Sequence, residues 1–501
     1  MFRIFSRISA CAALAACLFL SSTARAQDLT VTIPSLNDVQ TKVSAVAGKI
    51  NPTYSMIVAM TLGQSAAFGI DATKPIAICV DPDAEKGFSV SGFIPVKSQK
   101  MFDTQIEALK EKGLANLNVE SKDGYSVLLY NKESAGDLPN FDAPKMLNFK
   151  MNPGVLLSVI DQQIAAAELT EDEDLKETKK VNLERMKRNL KQLEEVSFAL
   201  DASDVGDLAL SFGAKPVEGT DIANNYANSE KLTQSVLGGF FDKKAPFTAQ
   251  FLGTFDENNR KDLAEFVTSS AKIPQELADV VLKALDVKKF DFACSFYPNK
   301  EGVYGVLATG IANGDKINTA IEKAIEKIDA DDMIQGKANA GTIGKSITVH
   351  EFTIKNDGEN KNFAVAVHQK YLFFALAPAG STAVDYLKSV FKEKGLKAAP
   401  VKKNAQLRFD VGLLSSLAGL IGLKDDADLS GEVNYVGDFS NGGFNGTLKI
   451  DGGLLETIGK VIAVKTAISD DDDDDDLFGD DDDDDDTTEA IGAPEDEEEN
   501  E

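Results

Sequence analysis

The chain has 501 residues, with 52 Lys and Arg against 80 Asp and Glu, a formal net charge of −28 and no tryptophan. A surface of that sign argues against nucleic acid as a partner, since binding a polyanion ordinarily needs a basic face. Four cysteines and two histidines, His350 and His368, leave little material for a disulfide framework, a metal centre or acid–base catalysis.

The first residues read as an export signal. Arg3 and Arg7 form a basic start, an apolar run extends from Ile8 to Leu20, and small residues end at Ala24-Arg25-Ala26. Cleavage after Ala26 makes 1–26 a signal peptide and leaves Gln27 as the mature N-terminus, so the expected location is extracytoplasmic, periplasmic or secreted. The alternative is a lipoprotein anchored through Cys17, because Leu14-Ala15-Ala16-Cys17 matches the box that precedes a lipidated cysteine. Leu18-Phe19-Leu20 weighs against it by continuing the apolar run. No later apolar stretch reaches the ~20 residues of a spanning helix; Val411 to Leu423 is too short and contains serines.

Further along, Ile76, Ile78 and Val80 alternate with Ala77 and Cys79, Asp81 to Gly87 makes a turn, and Phe88 to Val96 returns as a strand. A helix over Lys97–Lys112 follows, with Met101, Phe102, Gln105, Ile106 and Leu109 at helical spacing. The segment Phe68-Gly69-Ile70-Asp71-Ala72-Thr73-Lys74-Pro75 enters this unit, and Pro95-Val96 closes its second strand. Asp71 can cap the turn and Pro75 suits a strand start. With this entry and closing pair, the chain resembles a group of uncharacterised exported bacterial proteins. The resemblance implies a duplicated extracytoplasmic fold and carries over no activity.

Residues 77–112 and 292–327 align without a gap: Cys79 falls on Cys294, Gly87 on Gly302, Ile106 on Ile321 and Lys112 on Lys327. The second copy reads as a strand through Phe292, Cys294 and Phe296, a turn at Pro298–Gly302, a strand to Ile311, and a helix striped by Ile317, Ala320, Ile321, Ala324 and Ile328. With gaps, Leu147–Met151 and the apolar helix after it match Leu407–Val411 and its sequel. The hairpin Ser197–Asp201 with Leu208–Phe212 matches Glu432–Val436 with Phe444–Ile450. Two repeats follow, about 30–230 and 245–469. The first carries a helical insertion at about 170–195, whose face steps through Leu183, Met186, Leu190 and Leu193. The second adds the hairpin Phe363–Val367 with Tyr371–Ala377 and a helix over Thr382–Lys394. Short turns between strands predict an α+β fold, internally duplicated, with antiparallel sheets covered by helices.

Candidate sites are few. Asp81, Asp83 and Glu85 stand at alternate positions, yet Lys86 and Gly92 occupy the places where a calcium loop wants Gly and Glu, so a solvated turn is expected. Gly63-Gln64-Ser65-Ala66-Ala67 looks like a hydrolase elbow but follows a helix and ends in Ala. His350 and His368 each lie in an alternating strand, the setting of a structural histidine. Cys79 and Cys294, the two mature cysteines, form a candidate disulfide between the repeats.

The tail 470–501 holds 21 of the acidic residues and no Lys or Arg, leaving 59 acids and 49 bases in 27–469. Low complexity and self-repulsion predict a disordered segment. Asp470, Asp471, Asp472, Asp473, Asp474, Asp475 and Asp476, then Asp480, Asp481, Asp482, Asp483, Asp484, Asp485 and Asp486, supply hard oxygen ligands for weak, non-specific calcium binding. A solubilising bristle that draws cations is the alternative. With no catalytic or cofactor constellation in view, the expected function is a noncatalytic binding or scaffold protein whose partner is an unidentified protein or envelope component. The alternatives are a carrier of an apolar, lipid-like ligand held between the repeats and, third, a hydrolase.

Overall fold

A computed structural model describes residues 29–471 except 64–67, 84–86, 112–113, 115, 142–144, 169–172, 256, 258–259, 261–283, 285, 300–301, 329–333, 357–358, 378–380 and 413–428. Residues 1–28, with Cys17, and the tail from 472 lie outside the described residues.

The elements run β1 (Leu29–Ile33), α1 (Leu36–Ile50), α2 (Pro52–Leu62), β2 (Ile76–Asp83), β3 (Gly87–Pro95), α3 (Gln99–Glu111), β4 (Leu117–Lys122), β5 (Tyr125–Tyr130), β6 (Leu147–Met151), α4 (Gly154–Ala167), α5 (Glu173–Leu190), β7 (Leu193–Ala202), β8 (Leu208–Pro216) and α6 (Asp221–Glu230). They continue β9 (Gln234–Ser235), β10 (Phe247–Thr254), β11 (Lys289–Asn299), β12 (Gly302–Gly310), α7 (Gly314–Glu326), β13 (Ile334–Ile343), β14 (Ile347–Asn356), β15 (Glu359–His368), β16 (Tyr371–Leu376), α8 (Ala383–Glu393), β17 (Ala399–Pro400), β18 (Ala405–Asp410), β19 (Glu432–Ser440), β20 (Gly443–Ile450) and α9 (Gly452–Asp471). Local chemistry sets many boundaries. Ser35 caps α1 by accepting the Asp38 N–H at 2.9 Å. Asn51 closes α1 through its own N–H to Ala47 and opens α2 by accepting the Thr53 N–H at 2.9 Å. Pro52 follows, where its missing N–H costs nothing. Asp123-Gly124 and Asn441-Gly442, all with positive φ, make the two-residue turns of β4–β5 and β19–β20.

The fold is α+β, and among the described residues 18 strands join in a single sheet with every pairing antiparallel. Traced from neighbour to neighbour the order is β4-β5-β3-β2-β1-β6-β7-β8-β20-β19-β18-β10-β11-β12-β16-β15-β14-β13. The β8–β20 ladder joins the strands of the first half to those of the second. β9 and β17 form a separate small pair. Helix α3 seats Phe102 and Ile106 on Ile94, Val96 and Leu128, and α7 seats Ile317 on Ile311, Val365 and Val367. Among the described residues, no helix is long and apolar enough to cross a membrane.

Both aligned segments form strand, turn, strand and helix, but their hairpins differ by one residue. Cys79 faces Ser91, and a gapless match would set Cys294 against Val306; it faces Leu307 instead. The cause is the turn: Asp83 pairs with Gly87 across three residues, whereas Asn299 pairs with Gly302 across two. Leu193 also departs from expectation. The helix α5 ends at Leu190, and Leu193 opens β7 opposite Pro216, because the chain needs it in the sheet rather than on a helical stripe.

The entry motif is a clasp. Asp71 N–H donates to Pro95 C=O at 2.8 Å, Lys97 N–H donates to Gly69 C=O at 2.8 Å, and Ile70 bridges Val96. The Asp71 carboxylate accepts the Thr73 hydroxyl at 2.6 Å and its N–H at 3.2 Å, contacts that hold its pKa below the usual carboxylate range. Gly69 has φ +73°, and a Cβ there would lie 2.5 Å from Ser98 O; Gly124, at φ +83°, faces open space. Gly124→Ala therefore costs only the left-handed strain of roughly 1 kcal/mol. Gly69→Ala adds a backbone clash and should cost about 3 kcal/mol or more. Urea unfolding of the two variants checks this, and equal losses would show that the clasp tolerates the added methyl group.

Candidate functional site

Facing residues of an antiparallel ladder project to the same side. One row can therefore be followed across all the strands: Glu120, Val127, Phe93, Ala77, Thr32, Asn148, Ala199, Ser211, Thr447, Val436, Gln406, Gln250, Ala293, Ala308, Phe373, Ala366, Val349 and Gly341. Its two ends are apolar and covered. Phe93, Val127 and Ala77 are buried beneath Ala135, Leu138 and Phe141, the last stacked on Tyr125 at 5.1 Å. Phe373, Ala308 and Ala293 are buried with Leu237, Phe240, Leu387 and Val390. Removing rings such as Phe93 and Phe373 from water contributes roughly 2 kcal/mol each.

Between these ends the same face is polar. A parallel row runs Thr30, Lys150, Ser197, Gly213, Asn445 and Asp438 beside the stretch from Thr32 to Gln250. From β1 to β20 the two rows floor a trough of about 620 Å³, rimmed on one side by Pro139 and Asn140; beyond it Gln250 is buried. Ser211 and Thr447 share a hydrogen bond of 3.2 Å across the β8–β20 seam, and Gln406 donates to Gln250 at 3.4 Å. A Cβ on Gly213 would sit 2.6 Å from Ser197 Oγ, so the missing side chain lets the floor pack closely and stay low. The charges are balanced: Lys150 lies 3.5 Å from Glu195, and Asp438 pairs with Lys403 at 2.8 Å. Arg408, one row on, is committed to Glu432 at 2.8 Å, Asp410 at 3.2 Å and the carbonyls of Lys243 and Ala245. Hydroxyl and amide groups that both donate and accept remain, a surface suited to hydrogen bonding rather than bond making.

Trough residues escaped the sequence reading although their signal was present. Thr30 and Thr32, Asn148 and Lys150, Ser197, Ser211, Asn445 and Thr447 occupy the alternate positions of strands whose other positions are Val, Phe and Leu. The opposite face shows the complement. Phe149, Phe198, Phe212 and Tyr435 lie there, with Phe149 edge-on to Phe198 and Phe212 stacked on Tyr435. Phe198 is 43% exposed.

His350 is fully buried in β14 within a closed ring of hydrogen bonds. Its Nδ1 accepts the Asn339 N–H at 3.3 Å, which makes Nε2 the donor to Asn318 Oδ1 at 2.9 Å. Asn318 and Asn339 then both donate to Glu322, at 2.9 and 3.0 Å. Both ring nitrogens are occupied. Burial pushes the His350 pKa down, and Glu322 opposes that shift. His368 lies elsewhere, accepting the Lys370 N–H at 3.2 Å and stacking on Tyr371. The structure does not join the two histidines.

Cys79 and Cys294 are free and buried. Eight strands separate β2 from β11, roughly 40 Å along the sheet at strand spacing, far beyond a disulfide's reach. The pairing raised by the sequence is not formed here. They also face opposite sides: Cys79 packs with Ala77 and Phe93, whereas Ala293, the neighbour of Cys294, belongs to the cluster on that side. Burial pushes both thiol pKa values up, that of Cys294 to about 11, so neither is a ready thiolate. Asp81 pairs with Lys132 at 2.7 Å and Asp83 ends β2. Glu85, the serine of the elbow-like segment and the tail from Asp472 lie outside the described residues; Asp470 and Asp471 end α9. Among the described residues, no group of three or more His, Cys, Asp or Glu is arranged to hold a metal.

No protein-family model matches the chain, and no curated protein or solved structure matches it either.

The His350 ring yields a stability prediction. Its folded pKa lies below the unfolded value of about 6.5, so as the pH falls the unfolded chain takes the proton first. The ring's stabilising contribution is complete above pH of about 6.5 and declines as the pH drops from there towards the folded pKa. His350→Leu should lose about 2–4 kcal/mol at neutral pH, since the Asn339 N–H and Asn318 carbonyl lose their partner. Its stability should also change less than wild type's between pH 7.5 and 5.5 in urea titrations. Parallel pH profiles for the two proteins would remove His350 from the acid response.

Proposed function

We propose that the chain is a noncatalytic extracytoplasmic binding or envelope-associated scaffold protein, exported with loss of residues 1–26, whose partner-facing surface is the polar trough. The observation that carries this is the composition of one sheet face. Both ends are apolar and covered, while between β1 and β20 the face keeps charge-balanced hydroxyl and amide groups open to a cavity. Small polar side chains on a broad sheet can fix a ligand's orientation without reacting with it. The occupied nitrogens of His350 and the protonated buried thiols favour a noncatalytic reading.

We further infer an internal duplication with repeats at 30–230 and 245–469, carrying helices against the sheet. Supporting it, the run β4-β5-β3-β2-β1-β6-β7-β8 has a counterpart in β15-β16-β12-β11-β10-β18-β19-β20, with β13 and β14 added at the far edge. The one-residue hairpin difference is then a divergence between copies. On this reading the trough crosses the junction of the repeats, with β20 closing a floor built mostly by the first.

The acidic tail is proposed as a weak calcium collector, on its carboxylate density. Calorimetry with calcium should show a millimolar-range signal for chain 27–501 that 27–469 lacks; equal signals would move the site off the tail. An apolar-ligand carrier is the second reading, favoured by the half-exposed rings of Phe149, Phe198, Phe212 and Tyr435 on the opposite face.

One capture experiment separates the readings. Immobilised mature protein and its Ser211→Trp and Asn445→Arg variants are exposed to envelope extract of the native host, and the retained sugar, lipid and protein are quantified. Material held by wild type and lost from both variants supports the trough. Retention unchanged in both variants puts the binding surface elsewhere, and retained lipid lost on Phe198→Lys favours the carrier.

A further inference from the structure

We propose that the ligand of the trough is a neutral, linear, hydroxyl-rich polymer, a glycan lying across the strands; this rests on the trough being the binding surface. Three features of the floor select that class. The first is length. The floor of the trough extends from β1 through β6, β7 and β8 to β20, four strand spacings or roughly 19 Å, more than a compact small molecule can use. The second is charge. Lys150 is offset by Glu195, Asp438 is paired with Lys403, and Arg408 is committed to Glu432 and Asp410, so the floor itself is charge-balanced; the exposed Lys449, one row beyond Thr447, lies outside the cavity lining. The third is donor and acceptor chemistry. Asn148, Ser197, Ser211, Asn445 and Thr447 project to the same side from neighbouring strands, each able to donate and accept, as sugar hydroxyls also do.

A polypeptide fits less well. Sheets recognise extended peptides at an edge, through unpaired main-chain groups, and the trough lies in mid-sheet, where the backbone of β6, β7, β8, β20 and β19 is already laddered on both sides. A peptide there would leave much of its own backbone unpaired. A glycan has no such obligatory groups, and repeated weak contacts along a periodic chain sum to useful affinity.

The test is affinity electrophoresis of mature protein in native gels cast with hydroxyethyl cellulose, glucomannan, dextran, polygalacturonate or gelatin. Wild type is compared with Ser211→Trp and Asn445→Arg, each checked for wild-type urea unfolding. At least one neutral glycan should retard wild type, with apparent affinity falling at least 10-fold in both variants. Retardation by polygalacturonate or gelatin alone, lost in the variants, would overturn the glycan class and leave the trough standing. Equal retardation of wild type and both variants by a neutral glycan would place that binding off the trough and overturn the proposal. No retardation by any polymer, with envelope capture still trough-dependent, would also reject the glycan and spare the trough.

Discussion

Backbone hydrogen bonding between β8 and β20 turns strands from distant parts of the chain into one sheet; Ser211 and Thr447, which meet there, lie 236 residues apart in sequence. Side chains alternate with a period of two, so a one-residue slip in this ladder would exchange the polar and aromatic faces of one half relative to the other. The trough exists because that register holds. Its floor draws residues from β1, β6, β7 and β8 of the first half and from β20 of the second, so neither half supplies it alone.

An open sheet of this size must also manage its edges. At one side β4 is short and carries Glu120 and Lys122, with Asp123 in the turn that follows. At the other, β13 breaks register between Lys337 and Gly341, where Asn339 takes a positive φ. The His350 ring ties that bulge to β14 and α7, so this buried histidine serves the sheet edge. Its neutral form is the one that fits, because Nδ1 must accept a backbone N–H.

Buried polarity elsewhere follows the same accounting of partners. Asp291 is 3% exposed, and its carboxylate accepts the Ser235 hydroxyl at 2.5 Å and the Val236 N–H at 2.8 Å. That bond anchors the segment leading to Leu237 and Phe240, which covers one apolar end of the polar row. Cover at the ends and none at the centre separate core from trough on a single sheet face. The side chains follow suit in part: Phe and Ala lie beneath the cover and Asn148, Ser197, Ser211 and Asn445 line the open trough, while Thr32 and Gln250 are buried at its margins.

Much of the fold was legible locally. The hairpin and helix around Cys79, the corresponding unit around Cys294, the hairpins β7–β8 and β19–β20, and the strand settings of both histidines follow from period-two and helical spacing in short windows. The β4–β5 hairpin was equally available through Asp123-Gly124, yet lay in a stretch with few other markers. Spacing could not reveal which strands become neighbours. Cys79 and Cys294 look equivalent in an ungapped alignment, but a turn shorter by one residue turns them to opposite faces, and the intervening strands set them far apart. The trough was hidden for the same reason: each strand contributes only one or two small polar residues, an unremarkable pattern alone. Sequence by itself determined where strands and helices form, because that depends on neighbours a few residues away; only the tertiary structure decided which polar positions share a surface, because long-range ladder register places them side by side.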